Sequence, residues 1–72
     1  MTNEDLLSRY PNVRNGLIAA RRARGIPQHD AARRMGISWP YYSMIELGEV
    51  TPEPRLAAKI TKLTGYEWEE ET

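Results

Sequence analysis

The stretch GIPQHDAARRMGISWPYYSMIELG, residues Gly25 to Gly48, decides how the chain is read. Two short segments meet at Gly36, and each is punctuated as a helix. In the first, Pro27 suits a first-turn position, where its missing N–H is not needed. Asp30 favours the positive end of that helix. Ala31, Ala32 and Met35 are spaced to face inward, and Gly36 stops the segment. In the second, Ser38 is a good N-cap and Pro40 is tolerated in the first turn. Tyr42 and Ile45 share a face, Ile37 precedes the cap, and Glu46 and Gly48 close the helix.

Outward from this pair, NVRNGLIAARRARG reads as a preceding helix, with Asn12 as its cap. Val13, Leu17 and Ala20 lie on one face and Gly25 stands just past its end. Gly16 inside that helix costs about 1 kcal/mol relative to alanine, a cost that a close approach would explain. EVTPEPR is a loop, and Thr51 or Pro52 opens a fourth helix. That helix runs through PRLAAKITKLTG, with Leu56, Ile60 and Leu63 at i, i+4, i+7 and Gly65 at its end. YEWEEET reads as a final half-turn or short helix, and TNEDLLSRY adds a helical turn through Leu6 and Leu7. No segment shows strand alternation. The expectation is an all-α bundle of four to five short helices. Residues 1–11 form an N-terminal extension, 12–68 the folded domain and 69–72 an acidic tail.

Composition bounds the function. A chain of 72 residues makes one small domain, burying only about 60% of its unfolded surface. It has no cysteine, so neither a disulfide nor a thiolate metal site is available. The single His29 has no companion ligands and reads as a solvated residue. No apolar run reaches the ~18 residues of a membrane span, and the acidic start is unlike a signal peptide. A cytoplasmic protein without cofactor is the expectation. Net charge is zero but unevenly spread. Arg9 to Arg34 holds seven arginines against one acid, a net of +6, while Tyr66 to Thr72 carries four glutamates and no base. Such asymmetry suggests a polyanion partner, and the plainer reading is an arginine-rich solvated face.

Two short helices joined at a glycine and flanked by longer ones make a helix-turn-helix. Ala32 permits their close approach, Gly36 allows a positive-φ turn and Ile37 plugs the turn into the core. The whole of Gly25–Gly48 resembles the DNA-binding domain of the Cro and phage-repressor family, also called the XRE family. Gly25, Ile26, Gln28, Ala32, Met35, Gly36, Ile37, Ser38, Ile45, Glu46 and Gly48 fit that family's pattern, and the likeness extends over about Val13 to Trp68.

The resemblance implies a lambda-repressor-like fold and assigns roles. Arg21 and Glu46 pair as a partly buried ion pair joining the first and third helices. Gln28 touches the DNA backbone. Trp39, Pro40, Tyr41 and Met44 take the outward positions of the recognition helix, with Ser43 beside them, so these five are the expected base contacts. By position, Arg14, Arg33 and Arg34 are the expected phosphate grips, with Ser38 capping the helix end that faces DNA. The departures are chemical. Trp39 and Pro40 stand where better-known repressors place amides, so bidentate readout is lost there. Thymine-methyl contacts, the Tyr41 hydroxyl and the Trp39 indole N–H remain. Pro27 replaces the usual threonine and its cap contact, and Ala31 stands where a larger aliphatic is common. Tyr42 takes an isoleucine slot and reads as core, and Tyr66 and Trp68 as core closure. Trp39 has a second reading, folded back on the turn between the two helices.

The resulting expectation is sequence-specific double-stranded DNA binding by residues 38–47 in the major groove, in a transcriptional regulator. Dimerisation, if present, is weak or occurs on DNA. The alternative is a protein-interaction module of antitoxin or adaptor type, using the same Trp/Tyr surface. No catalytic constellation is visible, so an enzyme is not expected.

Overall fold

The computed structural model describes residues 9–68. The expected turn through Leu6 and Leu7 and the acidic 69–72 tail lie outside those residues. From Asn15 on, the described residues form four helices in order: α1 (Asn15–Ala23), α2 (Gln28–Met35), α3 (Trp39–Glu46) and α4 (Pro54–Thr64). The described residues contain no strand, so the architecture is all-α. α2 and α3 pack on each other, and α1 and α4 close over them. Leu17, Ile26, Ala31, Ala32, Met35, Tyr42, Ile45, Leu56 and Ile60 form the core. Ile37, Val50, Leu63, Tyr66 and Trp68 pack around it, half-buried. Truncating a fully buried side chain such as Leu17 to alanine costs about 2–5 kcal/mol, a large fraction of a small domain's stability.

Helix ends follow local chemistry where the cap is a side chain and tertiary contact where it is not. Ser38 accepts a hydrogen bond from the Tyr41 N–H at 3.2 Å and caps α3. Gly36 closes α2 in the left-handed region at φ 73°. Pro27 is the N-cap of α2, one place earlier than the first turn, and gives no side-chain cap bond. Asn12 does not cap α1. The N-cap is Arg14, whose backbone N–H donates to the Glu46 carbonyl at 2.7 Å. α4 begins later than expected, with Glu53 as N-cap and Pro54 in the first turn. Pro54 rather than Pro52 therefore takes the position that its fixed φ suits. Past α4, Gly65 turns at φ 82°. Tyr66 to Trp68 carry no helix, against the expected half-turn.

Closure of the bundle runs through those last described residues. The Trp68 indole N–H donates to the Ala57 carbonyl at 2.9 Å. Tyr66 meets the Trp68 ring edge-on, centroids 4.9 Å apart. A Cβ on Gly16 would stand 3.1 Å from Tyr66 Cε1, so the helix-weakening glycine gives Tyr66 its seat.

Candidate nucleic-acid interface

α3 turns Tyr42 and Ile45 fully inward and leaves Trp39, Pro40, Tyr41 and Met44 exposed. Trp39 is 55% exposed, against 36% for both Tyr41 and Met44. It is nevertheless anchored. Its indole N–H donates to Gln28 Oε1 at 2.7 Å, and its ring lies tilted against His29, centroids 5.6 Å apart. Ser43 donates its hydroxyl to the same Gln28 oxygen at 3.0 Å. Gln28 Nε2 in turn donates to Glu46 Oε1 at 3.0 Å. One amide at the start of α2 thus fastens both ends of α3.

The network ends in a buried ion pair. Arg21 Nε donates to Glu46 Oε2 at 2.6 Å, Arg21 Nη2 to Glu46 Oε1 at 3.3 Å, and Arg21 Nη1 to the Ile26 carbonyl at 2.8 Å. The two side chains are only 8% and 2% exposed. Burial opposes the charge on Arg21, but the bond to Glu46 outweighs it, and the guanidinium holds its proton more tightly than a free arginine. Near this pair the Tyr42 hydroxyl is buried with no hydrogen-bond partner among the described residues. Burial, with the Glu46 carboxylate adding to it, pushes the phenol's ionisation well above its usual range.

The sequence that makes these placements matches the profile of a known family. The helix-turn-helix family of Cro/C1 type, the XRE family, matches residues 17–70. The chain belongs to the XRE family. No curated protein and no solved structure matches it. Members of the XRE family are DNA-binding regulators rather than typical enzymes. Among the described residues no helix is long and apolar enough to cross a membrane. Those residues also show no cluster of ligands for a metal ion.

Within this XRE domain the expected site residues divide. Trp39, Pro40, Tyr41 and Met44 stand together on the outer face of α3, and Ser38 is exposed at its start. Ser43 is half-buried and its hydroxyl is taken by Gln28. Three expected donors are committed within the protein. Gln28 is held on both sides of its amide, and the Trp39 N–H is spent on it.

Arg14, expected to grip phosphate, donates from Nη1 to the carbonyls of Ile45 at 2.5 Å and Val50 at 3.0 Å. Its guanidinium also lies 5.2 Å over the Trp68 ring. α3 has no basic residue in its last turn, so Arg14 supplies from α1 the cation that a helix C-terminus favours. Arg33 and Arg34 are 79% and 53% exposed and share Asp30, with Arg34 Nη2 at 3.1 Å. The Arg33 hydrogen bond, above all, holds the Asp30 carboxyl below its ordinary range.

Sequence reasoning missed the Gln28 hub, the His29–Trp39 contact and a clamp in which Arg24 Nη1 donates to the Leu63 carbonyl at 2.8 Å. Its one available signal was a glutamine opening α2 opposite a donor opening α3.

Proposed function

We propose that this protein binds double-stranded DNA sequence-specifically, as a transcriptional regulator, with α3 in the major groove. The observation that carries the reading is the outer face of α3. Ser38 caps it, Gln28 fastens it to α2, and the family is one of DNA-binding regulators. Trp39, Pro40, Tyr41 and Met44 meet base edges in this reading, and Arg33, Arg34 and the Ser38 hydroxyl meet phosphates. The test is binding of a labelled random-sequence duplex across a salt series. Phosphate contacts make the logarithm of the binding constant fall linearly with the logarithm of salt concentration. Absence of binding at low salt overturns the proposal.

A second reading rests on a different observation. Residues 38–53 contain no basic residue, and Glu46, Glu49 and Glu53 are acidic. An aromatic face without cations suits a protein partner, for which Trp and Tyr are frequent anchors. Under that reading, no binding to DNA at low salt accompanies tight binding of a protein that covers Trp39.

A further inference from the structure

The outer face of α3 has almost no polar chemistry to offer a base. The Trp39 N–H and the Ser43 hydroxyl both end on Gln28 Oε1. The Gln28 nitrogen is bonded to Glu46. Pro40 has neither N–H nor polar side-chain atoms, and a thioether such as that of Met44 is a weak acceptor. The Tyr41 hydroxyl is the one strong polar group left on the outward side chains of Trp39, Pro40, Tyr41 and Met44. Bidentate pairing with adenine or guanine requires a free amide or guanidinium, and neither is present there.

The major groove presents hydrogen-bonding groups on every base but one apolar group, the 5-methyl of thymine. A polar base edge covered by an apolar face without a partner is penalised, whereas a covered methyl is rewarded by about 0.8 kcal/mol, or about fourfold in affinity. From this mismatch we infer that the α3 face selects DNA by the 5-methyl groups of pyrimidines, with Trp39, Pro40, Tyr41 and Met44 forming the surface that covers them. The inference rests on the DNA reading above and names the chemistry that reading selects. Thymine and 5-methylcytosine present the same group at the same place in the groove, so both are sources of it.

The experiment starts from duplexes selected out of a random-sequence pool with the full chain. Each thymine of the selected site is replaced singly by deoxyuridine, which removes only the methyl. In a second arm, each thymine is replaced by cytosine or by 5-methylcytosine, with guanine opposite. The expected results are a loss of about fourfold at one or more deoxyuridine positions and tighter binding of 5-methylcytosine than of cytosine there. A loss with deoxyuridine alone assigns the group to thymine, and a gain with 5-methylcytosine alone assigns it to methylated cytosine. Either supports the inference. Met44→Ala, at an exposed position, narrows the thymine–deoxyuridine gap at one position or more, and an unchanged gap at every position removes Met44 from the covering surface and counts against the inference. Equal affinity in every methylated and unmethylated pair overturns the inference while leaving DNA binding standing. Failure to bind any duplex at low salt overturns both.

Discussion

Glu46 receives hydrogen bonds from Arg21 and Gln28, on two different helices, while itself only 2% exposed. Glu46→Gln removes the charge that Arg21 answers and leaves a guanidinium buried without its partner. The expected loss is about 3–5 kcal/mol, which in a domain of this size lowers the melting temperature by more than 10 °C. Thermal unfolding by circular dichroism measures it. An unchanged midpoint would falsify the buried-pair account.

Tyr42 makes the opposite case, because its hydroxyl is buried without a partner among the described residues. Tyr42→Phe deletes an unsatisfied group and keeps the ring, so stability at neutral pH is expected to hold or rise. The sign of the pH effect follows from the raised phenol. A group whose pKa is raised in the fold contributes its stability fully below the free-tyrosine value of about 10. That stability is lost progressively as pH rises from the free value toward the folded one, because only the unfolded chain ionises in that interval. Melting temperatures between pH 8 and 11 therefore fall less steeply for Tyr42→Phe than for the parent. A parallel decline in the two proteins refutes the assignment.

At the scale of the element, two glycines in the same left-handed region separate backbone conformation from packing. Gly25 (φ 68°) has open space around it, whereas a Cβ on Gly48 (φ 79°) would overlap the Asn12 carbonyl. Gly25→Ala is expected to cost about 1 kcal/mol, the conformational term alone. Gly48→Ala costs that plus a displacement of the turn against α1, and urea midpoints rank the two. Equal midpoints would show that the Asn12 turn yields freely. The existence of α2, α3 and the turn between them was legible because Gly36, Ser38 and the inward Ala32, Tyr42 and Ile45 are local signals. The starts of α1 and α4 were not. Arg14 begins its helix where the Glu46 carbonyl receives its N–H, a contact that residue spacing does not display. The outward positions of Trp39, Pro40, Tyr41 and Met44 were likewise readable from helical period. The direction of the Gln28 amide was not, because contacts across two helices set it.

At the scale of the whole molecule, charge and the aromatic face are separated. The exposed arginines of α2 stand in its last turn, the aromatic face belongs to α3, and the segment that follows is acidic. In the DNA reading, Arg34→Ala weakens all sequences alike and lowers the salt slope by about one, whereas Tyr41→Ala changes sequence preference. Salt-series binding with a random duplex and with selected sites distinguishes them. Identical effects of the two substitutions would dissolve the division between anchor and reader. The sequence's overall neutrality concealed this layout, and its arginine run overstated the number of free cations. Arg14, Arg21 and Arg24 are all committed to carbonyls or to Glu46 within the fold.

In the DNA reading, the Gln28 amide has a consequence for how the α3 face changes over generations. Because one oxygen holds both Trp39 and Ser43, a substitution at position 39 or 43 that gives up its donor loosens the hub that also braces Glu46. If the DNA reading holds, single-step drift in base preference is therefore channelled toward replacements that still donate to that oxygen. The hidden frame narrows the vocabulary of the exposed face, and Pro40, Tyr41 and Met44, which carry no such obligation, are where new specificities arise at least cost to stability.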